Sequence, residues 1–239
     1  MIRLAFGVPG AGKSLALQDI VNMESYDKRS GFAIVDRAGE WNSTDIRSGA
    51  PNVRWRGNPP DMLIAPHDIA AASEMLTQAR DEKLCVLFQH PWNGVEVADL
   101  VRQVGDLTYV DDEIDLVALN NGQWKDNPLR DFVHRGRHLP DAQGFPREVH
   151  IYGAARRVQN LHIDLTSMAD EALIFRVQGD RTITRLVNEG MVREEDIDTV
   201  RTQPNLDYFL WKSSGEISRG RITPLTNRPV SNKTPTVSK

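Results

Sequence analysis

Short apolar runs alternate along the chain with stretches in which apolar residues return every three or four positions. The runs "IRLAF" (2–6), "GFAIVD" (31–36), "NVRWR" (52–56), "KLCVLFQ" (83–89), "LTYVDDE" (107–113), "EVHIYGAA" (148–155) and "ALIFRV" (172–177) predict strands. Helical spacing predicts helices at about 11–25, 67–80, 94–104, 127–137 and 181–189. Such alternation predicts an α/β fold, a mostly parallel sheet with helices on both faces and ligands at the carboxyl ends of its strands. From about Asn205 the pattern changes: "LDYFLWKSSGEISRGRI" reads as two short strands around the turn "SSGE". The expected organisation is one domain over 1–204, a small β-rich extension over 205–222 and a flexible tail over 223–239, where Pro, Thr, Ser and Asn replace large apolar groups.

Composition narrows the class without naming it. At 239 residues, with 40% apolar and 26% charged residues, the chain can bury a full core and is ordinary for a soluble globular protein. No apolar run is long enough to cross a bilayer, and the first residues enter a strand, so a cytosolic protein without a membrane span is expected. The single cysteine, Cys85, lies inside "LCVLF" and is expected as a buried core thiol. A net charge of −4 excludes a surface coated for nucleic acid and leaves room for a local basic channel. Six arginines (130, 135, 137, 147, 156 and 157) and four of the six histidines fall between Arg130 and His162, which marks that stretch for phosphate contact. Trp124 and Lys125 offer an aromatic and a cation on a loop beside it; Trp124 packing on its own domain is the alternative.

"GVPGAGKS", residues 7–14, matches G-x-x-x-x-G-K-[ST] at every fixed position and lies between a predicted strand and a predicted helix. In that setting backbone amides at the loop and helix N-terminus hold a phosphate chain. Gly7, Val8, Pro9, Gly10, Ala11, Gly12, Lys13, Ser14 and Leu15 are therefore the expected nucleotide-binding residues. Lys13 would sit between the β and γ phosphates and the Ser14 hydroxyl on Mg²⁺, so ATP and Mg²⁺ are the expected cofactors.

"LTYVDDEID" supplies the acids that the chemistry also needs, one to hold Mg²⁺ and one to polarise the attacking water. The register stays open: Asp111 as the metal acid with Asp112 as base, or Asp112 and Glu113 as the Asp-Glu pair. The longer reach of Glu113 favours it as base.

Three further stretches carry a family resemblance. "AIVDRAGEW" (33–41), "HRGRH" (134–138) and "VHIYGAARRVQNLHIDLTSMADEALIFRV" (149–177) resemble the HerA and FtsK superfamily of ring-shaped DNA-pumping ATPases. The resemblance covers about residues 1–190 and implies a P-loop NTPase core of the additional-strand, RecA-like type. It implies a role for Glu40 beside the nucleotide and an arginine finger acting on a neighbouring subunit, for which Arg135 and Arg137 are candidates. The family's Thr-Gln at the end of the sensor strand is replaced by Ala155 and Arg156, and Arg156 becomes the candidate γ-phosphate contact. Compact size and the "ARR" turn look most like the genome-packaging ATPases of tailless, membrane-containing double-stranded DNA viruses. That resemblance implies a ring, typically a hexamer, in the host cytoplasm at the procapsid or virion vertex, with duplex DNA and capsid vertex proteins as partners. A Zot-like filamentous-phage assembly ATPase and a cellular HerA-like translocase are the alternatives, although the motif's start at Gly7 leaves no room for the extra N-terminal domain of the latter. Outside the fold's enzymes, a nucleotide-gated binding module is the rival.

Overall fold

In a computed structural model the structure describes residues 1–41, 62–119, 124–136, 138–140 and 143–223. The elements in chain order are β1 (Ile2–Phe6), α1 (Lys13–Tyr26), β2 (Gly31–Val35), β3 (Met62–Ile64), α2 (Ile69–Glu82), β4 (Cys85–Phe88), α3 (Gly94–Val104) and β5 (Leu107–Asp111). There follow α4 (Pro128–Arg135), β6 (Leu139–Pro140), β7 (Pro146–Arg147), β8 (Val149–Ala155), α5 (Ile163–Ser167) and β9 (Glu171–Ile174). The chain continues through α6 (Asp180–Asn188), α7 (Ile197–Thr202), β10 (Asp207–Lys212) and β11 (Ile217–Arg221). The strand expected at 52–56, Arg137 and most of the tail lie outside the described residues.

Among the described residues nine strands form one sheet in the order β11-β10-β9-β1-β8-β5-β2-β4-β3. From β9 to β3 every pairing is parallel, and β10 and β11 close the other edge as an antiparallel hairpin. The inner strands β2, β4 and β5 are buried at every position, as parallel strands covered on both faces must be. β8 lies between β1, which feeds the phosphate loop, and β5, which ends in the acids, so the additional strand is present. The carboxyl ends of β1, β8, β5 and β2 therefore meet at one edge of the sheet.

Helices cover the faces unequally. Leu76 of α2, Val97 and Val101 of α3, Leu129 and Phe132 of α4, Ile183 and Leu186 of α6 and Val200 of α7 join one apolar cluster. Ala16, Leu17 and Val21 of α1 join the cluster on the other face with Phe32, Ile34 and Tyr152. Local chemistry starts the helices where they start. Asp68 caps α2, Asn93 and Glu96 form a reciprocal capping box at α3, and Asn127 caps α4 with Pro128 at its first position. Cys85 is buried, with its sulfur 3.1 Å from the Ser25 hydroxyl.

Candidate functional site

The phosphate loop leaves β1 at Phe6 and enters α1 at Lys13. Two features hold it. Its Val8 amide donates to the Arg176 carbonyl at 2.9 Å and its Ala11 amide to the Val8 carbonyl at 3.2 Å, so the loop is tied to the segment after β9 and to itself. Gly12 has φ 116, and a Cβ there would stand 3.0 Å from Leu206 Cδ2 and 3.1 Å from Phe175 Cε1. A side chain at position 12 would be strained in conformation and short of space. Lys13 is buried; its ammonium donates to the Val8 carbonyl at 3.1 Å, inside the curl of the loop. Burial, and secondarily the nearby Arg156 guanidinium, lower its pKa to about 8.

Across the cleft, the consecutive acids at the end of β5 have three different environments. Asp111 is fully buried and receives both Arg37 guanidinium nitrogens at 2.9 Å, the Tyr109 hydroxyl at 2.8 Å and the Glu113 amide at 2.9 Å. With that many donors on two oxygens it is a structural anchor turned away from the cleft, and the register with Asp111 on the metal loses its support. Asp112 is also buried, but its Oδ1 has no hydrogen-bond partner among the described residues. Burial, then the charges of Asp111, Asp36, Glu40 and Glu113, push its carboxyl well above the usual range. Glu113 lies at the mouth, paired with Arg156 at 2.5 Å.

A cleft of about 370 Å³ brings these groups together. Pro9, Gly10, Gly12, Lys13, Ser14 and Leu15 form its phosphate-loop wall, and Ala38, Glu40, Asp112, Glu113 and Arg156 face them. Gly7, Val8 and Ala11 shape the loop from behind, with Ala11 fully buried. Glu40 is presented by a turn that Asp36 organises, its carboxylate accepting the amides of Glu40 at 2.9 Å and Trp41 at 3.3 Å. Gln89 donates to the same carboxylate at 3.2 Å, and Gln18 to the Glu40 carbonyl at 2.9 Å.

The residues fit ATP and Mg²⁺. A buried carboxylate oxygen without a partner among the described residues, its pKa raised by burial and then by surrounding acids, in the cleft that Ser14 also lines, is the donor that a hard divalent cation would satisfy. Among the described residues no three acids, histidines or cysteines gather into a cage. Mg²⁺ does not need one, since it takes most of its ligands from phosphate and water.

Other predicted residues lie elsewhere. Arg135 is exposed at the C-terminus of α4 and does not line the cleft, and Arg137 is outside the described residues. Trp124 is buried, stacked on His162 at 4.5 Å and donating to Asp164 at 3.0 Å, so it packs on its own domain and leaves Lys125 exposed beside it. His134 bonds the same Asp164 carboxylate at 3.0 Å. Of the basic stretch, Arg147 pairs with Asp106 and the exposed Arg156 with Glu113, and Lys125, Arg130, Arg135 and Arg157 are exposed as well. Arg37 is the residue that sequence reasoning missed; a cation two positions past the end of β2, the strand beside β5, was the available signal.

No model of a known protein family matches the chain, and no curated protein matches it in sequence. Solved structures do match in fold. The genome packaging NTPase B204 from Sulfolobus turreted icosahedral virus 2, in complex with ATP-gammaS, superposes with a TM-score of 0.65 at 13% identity, over 94% of this chain and 97% of that one. B204, the DNA-packaging ATPase from Sulfolobus turreted icosahedral virus, superposes with a TM-score of 0.62 at 15% identity, over 93% and 98%. VirB4 of Thermoanaerobacter pseudethanolicus gives 0.54 at 10% identity, over 92% and 89%. At these identities the similarity is one of fold: the chain has the α/β fold of the P-loop NTPases, in the form that these packaging ATPases share.

Proposed function

We propose that the chain is a Mg²⁺-dependent ATPase that, assembled as a ring, drives double-stranded DNA into a viral capsid. The convergence of Lys13, Ser14, Asp112, Glu113 and Arg156 on one cleft carries the enzymatic half of this reading. Lys13 would exchange the Val8 carbonyl for the β and γ phosphates, and loop amides would take the remaining phosphate oxygens. Ser14 and Asp112 would hold Mg²⁺, which supplies neutralisation of the phosphate charge. Glu113 would orient the attacking water and accept its proton. For that it must leave Arg156, whose guanidinium is half-exposed and has a better anion in a γ-phosphate. The pair thus holds the base in check until a nucleotide arrives.

The translocation half is supported by the likeness to packaging ATPases and by the exposed cations at 125, 130, 135 and 157. The reading includes a ring, typically a hexamer, at a capsid vertex in the host cytoplasm, with Arg135 or Arg137 reaching a neighbour's nucleotide. Among the described residues no helix is long and apolar enough to cross a membrane. Steady-state phosphate release separates this ATPase from a nucleotide-gated binding module. The ATPase hydrolyses ATP and loses that activity with Lys13→Ala, whereas a binding module shows no turnover with or without DNA.

A further inference from the structure

Glu113, the proposed base, belongs to neither of the elements beside it, since β5 ends at Asp111 and a short helical turn begins at Ile114. A carboxylate that must align an attacking water needs a fixed backbone, and here that falls to individual hydrogen bonds. The Glu113 amide donates to Asp111 Oδ1 at 2.9 Å, and the Glu113 carbonyl accepts the Leu116 amide at 2.9 Å. Both partners are its close neighbours in the chain, so neither ties the residue to another part of the cleft.

Arg37 supplies the tie from another strand. Its Nη1 donates to Asp111 Oδ1 at 2.9 Å and to the Glu113 carbonyl at 3.1 Å, and its Nη2 donates to Asp111 Oδ2 at 2.9 Å. One guanidinium thus grips the Glu113 carbonyl directly and the Glu113 amide through Asp111. The fork is boxed in on its far side: a Cβ at Gly94, where α3 begins, would stand 2.5 Å from Arg37 Nη2 and 2.7 Å from Asp111 Oδ2. Arg37 follows Asp36, whose carboxylate sets the turn that carries Glu40 into the cleft. Arg37 does not line the cleft itself. The turn after β2 therefore presents Glu40 to the phosphate loop and, through Arg37, holds Glu113 in register beside it.

We propose that Arg37 is a positioning residue for hydrolysis, which aims the Glu113 carboxylate by fixing the Glu113 backbone to the turn after β2 and touches no nucleotide. The planar fork is required, because two parallel bonds to Asp111 and a third to a carbonyl need a guanidinium geometry that an ammonium lacks. The role rests on Glu113 being the base, and the test keeps the two apart. Single-turnover hydrolysis and ATP affinity would be measured for wild type, Arg37→Lys, Glu113→Gln and the double variant. Arg37→Lys should lower the rate about tenfold or more while ATP affinity stays within about twofold, and in the Glu113→Gln background it should change the rate by less than about twofold. An equal loss in both backgrounds, unchanged turnover in Arg37→Lys, or ATP affinity that falls along with turnover would each overturn the role. Lysine keeps a cation opposite Asp111; should that variant fail to fold, Arg37→Gln combined with Asp111→Asn leaves no buried charge unpaired, and the same comparison decides. A wild type without turnover, or a Glu113→Gln variant that turns over normally, would overturn the base assignment and the role of Arg37 with it.

Discussion

Asp111, Asp112 and Glu113 are adjacent in sequence and chemically distinct because the end of a strand points successive side chains apart. Asp111 faces Arg37 and Tyr109, Asp112 faces the cleft from a buried position, and Glu113 reaches Arg156 at its rim. Substitutions should therefore separate cleanly. Glu113→Gln should keep ATP binding while turnover falls about 10²- to 10⁴-fold, checked by nucleotide titration beside phosphate release. Asp111→Asn should act on stability, about 3 kcal/mol in a denaturant titration, because it leaves the Arg37 cation without its buried partner. That lies toward the low end for such a loss, since the Arg37 side chain keeps 21% of its exposure. Lys13 adds a pH signature. Its pKa of about 8 in the free protein should rise when phosphates surround it, so binding takes up a proton above pH 8 and ATP affinity falls as pH rises. Calorimetry at pH 8.5 in two buffers of different ionisation enthalpy should show that uptake; proton release would contradict it. For stability the sign is opposite: an unfolded Lys13 titrating at 10.5 binds more protons than the folded one, so its contribution grows between pH 8 and 10.5.

Among elements, the strands that flank the site were legible because parallel strands buried on both faces read as continuous apolar runs. Such are β1, β2, β4, β5 and β8, and α3 was legible because Asn93 and Glu96 mark its start. β3 escaped notice because three half-buried edge residues carry no pattern, and α7 because Val200 is its only buried residue. The phosphate-loop half of the site was equally legible, since its chemistry is contiguous. The opposite wall was legible only in part. The choice among three acids depends on Arg37, which lies 74 positions from Asp111 in sequence and meets it only when β2 pairs with β5. Leu206 carries no sequence signal either, because a left-handed leucine is imposed by tertiary contacts. A comparable tertiary link joins α4 to α5, where Asp164 takes hydrogen bonds from Trp124 and His134 and anchors the segment bearing Lys125. Asp164→Ala should cost about 1–3 kcal/mol in a denaturant titration and reduce the response to DNA, leaving DNA-free hydrolysis near normal.

For the whole molecule, Arg135 stands outside the cleft of its own chain, where a residue acting on a neighbour would be. Arg135→Ala should bind ATP and hydrolyse it slowly, and mixing it with Lys13→Ala subunits should restore activity if the arginine acts in trans. Co-assembly without rescue would remove Arg135 from that role. A pump that passes any sequence must grip phosphates and not bases, so DNA binding should ignore sequence and weaken steeply with salt. The most direct measurement is ATP hydrolysis with and without duplex DNA, in low and moderate salt. Stimulation by duplexes of unrelated sequence, diminishing as salt rises and reduced by Lys125→Ala without loss of basal turnover, is the predicted result. Hydrolysis indifferent to duplex in both salts, with no duplex bound, would contradict the account.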